Sequence, residues 1–321
     1  MPTLRDVAAR AGVSTSAVSR TFTPGASVSD AMRARVMEAA DALGYRPSTI
    51  ASMLSTGRSK LIGLVATNFR NPVLLDAFDH FTRGLQARGL RPLLVNLPDD
   101  ADPAEAIAML RGYLVDGVIV ASSTVPPAFP AAFAAAGIPT VHSFGPVRGS
   151  RVHTVGVDDE EAGRIAARAL LTRGYRPGVL AGPEGASSSR GRVRGFREIC
   201  PDGAVHYADA YSFEAGRAAM VQAIGQADGW FCGDDLLSMG ALSTLRDAGS
   251  SVPGDVGVVG FNDMGMAGWP GIDLTTIRMP VGDIIAGAIE LVTALLEDAD
   301  SALQARLYPL ELIERGTLRP A

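Results

Sequence analysis

Thr15, Ser16, Ser19 and Arg20 would share the outer face of one short helix. A guanidinium can donate two parallel hydrogen bonds to guanine O6 and N7, and hydroxyls can reach base edges or phosphates. A second set of polar side chains is spread along the chain. It comprises Asn68-Phe69-Arg70-Asn71, Ser122-Ser123, Ser187–Arg192, Asp234-Asp235 and Asn262-Asp263. Amides, hydroxyls and carboxylates beside an aromatic face suit a small hydroxylated ligand. The plainer reading is a solvated helix face for the first set and loop capping for the second, with Asp235 capping a following helix. No glycine-rich nucleotide loop, P-loop or G-x-S-x-G elbow occurs. His80, His142, His153 and His206 show no ligand spacing, so no metal, cofactor or catalytic site is expected and the chain is not read as an enzyme.

The elements around the first set are three helices. Thr3 can cap the first, with Asp6 three residues on as its capping-box partner. Leu4, Val7, Ala8 and Ala11 form its apolar stripe and Gly12 ends it. Ser14 caps a second helix with Val13, Ala17 and Val18 inward. Ser29 caps a third, with Met32, Val36, Ala40 and Leu43 inside and Gly44 closing it. Two short helices joined at Ala11-Gly12-Val13-Ser14 read as a helix-turn-helix, whose second helix enters the major groove. Pro47–Leu54 follows as a hinge too short to be a stable helix alone. Its Ile50, Met53 and Leu54 offer a face for a partner hinge, so it should fold only with partner and DNA present.

From Leu61 the pattern changes to apolar runs alternating with helical periods. Strands are predicted at 61–67, 93–95, 117–121 and 139–142, with helices at 72–88 and 103–114. Beyond Asp158 the alternation restarts: helices at 159–173, 189–199, 213–225 and 235–248, strands at 178–181, 204–208, 229–232 and 256–260. Later strands at 274–279 and 306–312 flank a helix at 281–297. This is an α/β body of two doubly wound parallel-sheet lobes, with ligands expected at the carboxyl ends of strands. The predicted organisation is a head over 1–46, a hinge and linker over 47–60, and a body over 61–321.

Charge is distributed to match. Residues 1–60 carry +4, while the whole 321-residue chain carries -5, which leaves -9 on the remainder. A basic head on an acidic body implies that only the head meets a polyanion. Two cysteines, Cys200 and Cys232, make no disulfide framework and point to a reducing compartment. The start lacks an apolar signal core, and no apolar run approaches the length of a membrane span. A cytoplasmic protein with no membrane partner is expected.

The segments T-L-R-D-V-A-x-x-A-G-V-S-x-x-x-V-S-R and G-Y-R-P-S-x-I-A-x-x-L resemble the head and hinge of the lactose-repressor (LacI/GalR) family of bacterial regulators. The likeness runs nearly end to end. It implies that Thr15, Ser16 and Arg20 read bases and that Leu54 is a minor-groove wedge, which would kink the duplex. The expected DNA-facing set is Thr3, Ser14, Thr15, Ser16, Ser19, Arg20, Ser29, Tyr45, Ile50, Ala51 and Leu54. It implies a periplasmic-binding-protein-like body, with crossings between lobes near 156–158, 264–274 and 299–307. Lobe one would be about 61–157 plus 275–300, and lobe two about 158–273 plus 306–321. The expected effector set is Asn68, Arg70, Asn71, Ser122, Ser188, Arg192, Tyr211, Asp234, Asp235 and Asn262. By resemblance, Arg192 clamps the effector and Tyr211 packs on it. Two positions depart from the family: Asn262 stands where an acid is usual, and Phe144 occupies a region where another often lies. With fewer carboxylates, Arg70 and Arg192 would suit an anionic effector such as a sugar acid. The implied function is a ligand-responsive regulator, most simply a repressor, acting as a homodimer on a near-palindromic operator in double-stranded DNA. A sugar-binding protein or a cytoplasmic sugar-metabolising enzyme on the same body is the alternative.

Overall fold

The structure is a computed structural model that describes residues 2–23, 25–46, 53, 57–67, 69, 71–98 and 101–320. The chain divides into two compact units, Met1–Ser59 and Lys60–Ala321.

The first unit holds helices α1 (Leu4–Ala11), α2 (Thr15–Phe22) and α3 (Asp30–Leu43). Each begins at a hydroxyl cap. Thr3 and Asp6 form a reciprocal capping box. Ser14 Oγ accepts from Ala17 N at 3.2 Å, and Ser29 Oγ from Met32 N at 3.4 Å. Gly12 and Gly44 close α1 and α3 in the left-handed conformation, at φ 62° and 63°, where a Cβ would be strained. Val7, Ala8, Val18, Val36, Ala39, Ala40 and Tyr45 form the core, and the Tyr45 ring lies 5.8 Å from that of Phe22. Two arginines of α3 bind the other helices' ends. Arg35 Nη2 donates to Ala11 O at 2.8 Å, and Arg33 Nη1 to Thr21 O at 3.0 Å. They satisfy carbonyls that a helix leaves unpaired at its C-terminus.

The second unit begins with β1 (Leu61–Ala66), α4 (Pro72–Ala87), β2 (Arg91–Asn96), α5 (Pro103–Gly112), β3 (Gly117–Ala121), α6 (Ala128–Ala135), β4 (Thr140–Ser143) and β5 (His153–Val157). It continues with α7 (Asp159–Leu171), β6 (Pro177–Ala181), α8 (Ser187–Ile199), β7 (Ala204–Tyr207), α9 (Phe213–Ala223), β8 (Gly229–Cys232), α10 (Asp235–Asp247) and β9 (Gly257–Asn262). The last elements are β10 (Thr276–Arg278), α11 (Val281–Glu297), β11 (Ala305–Tyr308) and β12 (Glu311–Ile313). One six-stranded sheet runs β11-β5-β4-β3-β1-β2 and the other β12-β10-β9-β8-β6-β7. All pairings are parallel except β10 with β12.

Both sheets are buried on two faces, which explains their continuous apolar strands. In β8, Phe231 joins one apolar cluster while its neighbours Trp230 and Cys232 join another on the opposite face. In β1, Ile62 and Leu64 face one cluster and Val65 the other. Full burial of each such side chain stabilises by about 1.5–3 kcal/mol.

The lobe assignment of the C-terminal third differs from expectation. β10 pairs with β9 in the second sheet, not the first. The 264–274 stretch stays in lobe two, where Leu274 joins the core. The predicted strand 306–312 is two strands in different sheets, because Pro309 lacks an N–H and cannot continue a ladder. α11 packs on β3, β4, β5 and α4 of lobe one. The three crossings therefore fall at Asp158, at Met279-Pro280 and at Pro309-Leu310. The sequence reading also passed over α6 and β5.

Candidate functional site

In the first unit, α2 turns Ala17, Val18 and Thr21 into the core. That orientation leaves Thr15, Ser16, Ser19 and Arg20 exposed together on the opposite face. Among the described residues the Arg20 guanidinium makes one long bond, from Nε to Ser16 O at 3.4 Å. Thr3, Ser14 and Ser29 also lie on the surface, with their hydroxyls engaged as helix caps. Tyr45 was expected at the DNA face, but it is buried and packs on Phe22. It joins Ala39 and Ala40 of α3 in the buried cluster. Ile50, Ala51 and Leu54 lie outside the described residues.

In the second unit, a cleft opens between the lobes at the carboxyl ends of both sheets. Its empty space is roughly 760 Å³ when the open mouth is counted. Lobe one supplies Thr67, Asn71, Ser122, Ser123, Thr124 and Phe144, and lobe two supplies Asp159, Arg192, Tyr211, Asp234 and Asn262. β1 is flanked by β2 and β3, and β6 by β7 and β8, so each sheet reverses its strand order here. Such switch points leave a crevice beyond the strand ends.

Each wall is built by local chemistry. Asn71 caps α4, its Oδ1 accepting from Val73 N at 3.1 Å, while its Nδ2 reaches across to Asp234 Oδ2 at 2.8 Å. Asp234 in turn caps α10, with Oδ1 accepting from Leu236 N and Leu237 N. Asn262 Nδ2 approaches the same carboxylate at 3.5 Å. Asn262 has φ 113°, a conformation that ordinary side chains rarely adopt and that recurs at functional sites. Ser122, Thr67 and Thr124 hydroxyls bond to one another at 2.9–3.0 Å. A second cross-lobe bond runs from Ser187 Oγ to Ser123 O at 3.1 Å.

Arg192 is held on three sides. Its Nε donates to Asp159 Oδ1 at 2.9 Å, its Nη1 donates to Gly233 O, and its guanidinium lies 3.5 Å from the Phe261 ring centroid. Asp159 was not foreseen, because at the start of α7 it looks like an ordinary first-turn acid. It neutralises the arginine that the sequence reading left unmatched, which removes that support for an anionic effector. Burial raises the Asp159 and Asp234 carboxyls above their usual range.

Two of the expected residues, Ser188 and Asp235, sit behind the wall. Tyr211 lines it, with its hydroxyl bonded to Ser188 Oγ at 2.9 Å and Ser189 Oγ at 2.8 Å. Ser188 is buried behind Tyr211 and does not line the cleft. Asp235 is fully buried in lobe two, accepting from Thr276 Oγ1 at 2.6 Å and Met264 N at 2.7 Å. One residue beyond Asp234 on the helix, it points into the core, and burial pushes it up to about 7. It is a core residue, not an effector contact. Asn68 and Arg70 lie outside the described residues.

Among the described lining residues there is no histidine or cysteine. Among the described residues no cluster of three or more His, Cys, Asp or Glu could hold a metal ion. None of the described helices is long and apolar enough to cross a membrane. The cleft's chemistry is that of paired hydrogen bonds beside Phe144, Val157 and Met279.

Residues 3–48 match the family described as bacterial regulatory proteins, lacI family, and residues 167–318 match the periplasmic binding protein-like domain. The chain is 30% identical to the HTH-type transcriptional repressor PurR of Proteus mirabilis, over 99% of this chain and 97% of that one. It is 32% identical to an HTH-type transcriptional regulator in the aml 5' region of Streptomyces limosus, over 99% and 94%. Among solved structures, the Lac repressor dimer bound to operator and the anti-inducer ONPF superposes with a TM-score of 0.90 at 22% identity, over 99% of both chains. The regulator CelR in complex with cellobiose gives 0.73 at 27%, over 99% and 100%. With nearly full-length coverage at this identity, the chain belongs to the lacI family of bacterial regulatory proteins.

Proposed function

We propose that the chain is a ligand-responsive transcriptional repressor that binds a near-palindromic operator as a homodimer and carries a small polar effector, such as a sugar, between the lobes of its body. The observation that carries this reading is the cleft, which sets polar side chains from both lobes among apolar ones and is bridged by the Asn71–Asp234 bond. A ligand there touches both lobes at once, so its binding depends on the angle between them. The relatives named as repressors, the operator-bound dimer and the cellobiose complex support the same reading. Thr15, Ser16, Ser19 and Arg20 read base edges or phosphates in it. Two heads on a twofold dimer match two half-sites. The sequence-based wedge at Leu54 belongs to the same proposal. The body binds and does not catalyse, and the protein works where the chromosome is, in the cytoplasm.

The test is selection of binding sites from random duplexes with the full chain, followed by anisotropy titrations over a salt series. A near-palindromic consensus, bound with a steep loss of affinity as salt rises, is expected. A panel of sugars, sugar acids and nucleobases should then change operator affinity with at least one compound. Equal binding to all duplexes would reject the regulator reading.

A further inference from the structure

The Asp159–Arg192 pair does more than shape the wall. Arg192 is the only cation among the described residues that line the cleft, while two carboxylates, Asp159 and Asp234, share that lining. The other nearby arginines turn to a separate cavity beyond Asp159. There Arg148 pairs with Asp158 at 3.2 Å and Arg194 with Glu160 at 2.7 Å. We propose that Asp159 is the specificity determinant of the cleft, restricting its effectors to uncharged polar molecules and rejecting carboxylated or phosphorylated ones. The inference rests on the cleft being the effector site.

Asp159 is free for this task because its neighbour does the capping. Asp158 Oδ1 accepts from Glu160 N and Glu161 N, which leaves the Asp159 carboxylate without a duty at the helix start. The backbones of α7 and α8 fix it beside Arg192. A Cβ on Gly195 would overlap the Glu160 carbonyl, and one on Gly163 would overlap the Arg192 carbonyl. These glycines let the two helices touch main chain to main chain. The ion pair is then held with little exposure, 8% for the Arg192 side chain and 18% for Asp159. An anionic ligand would meet an arginine already matched, with a second acid opposite. An uncharged polyol fits the same groups well. Its hydroxyls donate to the two carboxylates, which only accept, and accept from Arg192 and the Asn71 and Asn262 amides.

The experiment is calorimetry and thermal shift on the full chain with matched pairs: glucose and glucuronate, galactose and galacturonate, cellobiose and cellobionate, ribose and ribose 5-phosphate, hypoxanthine and inosine monophosphate. At least one uncharged member should bind, and its charged counterpart should bind at least about tenfold more weakly, the scale of one hydrogen bond to a charged group. Asp159→Asn keeps the shape and frees Arg192, so it should lower that ratio by about tenfold or invert it. Adding Arg192→Gln should cancel the gain, and Asp159→Glu should retain the wild-type preference. Tighter or equal binding of the charged member to the wild-type chain overturns the proposal, whatever the variants' stability. So does an unchanged ratio in a folded Asp159→Asn. If no member of any pair binds, the effector-site reading itself fails and this inference with it, an outcome distinct from binding of the acid.

Discussion

Asn71→Asp should open the body, and the effect should reverse with pH. The substitution keeps the α4 cap, since aspartate caps as well as asparagine. It also replaces the 2.8 Å donor–acceptor contact with Asp234 by two facing carboxylates. Both residues are buried, Asn71 at 7% exposure and Asp234 at 2%. At about 3 Å, two unit charges repel by roughly 5 kcal/mol for an effective dielectric near 20, an upper bound that proton uptake or separation relieves. The native bond lost with it is of the charged class, about 1.5–3 kcal/mol. Ser187–Ser123 is the other cross-lobe hydrogen bond described above, and it joins neutral groups worth about 1 kcal/mol. The closed arrangement should therefore lose its advantage above neutral pH.

Small-angle scattering at pH 8 should show a larger radius of gyration than the wild type. Effector affinity should fall tenfold or more, in proportion to the closed fraction. On acidification the pair shares a proton and the hydrogen bond returns, because burial already raises the Asp234 carboxyl. Asn71→Ala gives the contrast. It should show a pH-independent loss, and at low pH it should be the weaker variant because it lacks the cap, worth about 1 kcal/mol. A folded Asn71→Asp chain with wild-type compactness and effector affinity at pH 8 would refute the bond as a closing contact.

Arg20→Ala should weaken operator binding by about 1–3 kcal/mol and relax preference at one base pair; an equal loss on every duplex would make Arg20 a phosphate contact. Asp235 has its carboxyl near 7 instead of 3.8, so the stability it contributes is complete below about pH 4 and fades as pH rises through 7. His142, pushed down to about 4 by burial, works oppositely over pH 4–6.5. Urea melts of Asp235→Asn should therefore lose stability on acidification from pH 6.5 to 4.5 by about 1.4 kcal/mol per unit more steeply than the wild type, and parallel curves would contradict the assignment. Gly195→Ala should cost about 1–3 kcal/mol by overpacking α7 against α8, whereas Gly185→Ala, with no atom within 4 Å of the added methyl, should stay within about 0.5 kcal/mol. Equal melting temperatures for the two would show that the helices can part without strain.

What the sequence revealed and what it hid follow from the range of the interactions. Thr3 with Asp6, Ser14 with Ala17 and Gly12 at φ 62° are bonds within a few residues, so the three head helices could be read off their caps. Strand and helix periods in the body are equally local. α6 lacks both signals: Pro127 at its start makes no side-chain cap, and Pro130 reads as a breaker although the first helical turn tolerates it. β5, His153–Val157, opens on two polar residues yet is buried between β11 and β4. The site was legible as a set of loops but not as partnerships. Asn71 meets Asp234 across 163 positions and Arg192 meets Asp159 across 33, and no local pattern encodes either pairing. Asp234 and Asp235 are indistinguishable by type, and only the turn of α10 sends one to the cleft and the other to the core.

The chain crossings give the cleft its leverage. Asp158, at the first crossing, lies between two cleft-lining residues, Val157 and Asp159, and Met279, at the second, lines the cleft itself. A ligand there contacts not only the two lobes but the strands on which they turn. Its affinity must then differ between open and closed arrangements, since the positions of Asp159 and Met279 relative to Asn71 and Phe144 change with the angle. A difference of about 1–3 kcal/mol is the usual size of such coupling. The Asn71–Asp234 bond is of that same size, so the resting contact and the effector bias the lobes' angle in the same direction and by similar amounts. An effector hydroxyl that donates to the Asp234 carboxylate shifts that balance by one further hydrogen bond, without rebuilding either lobe.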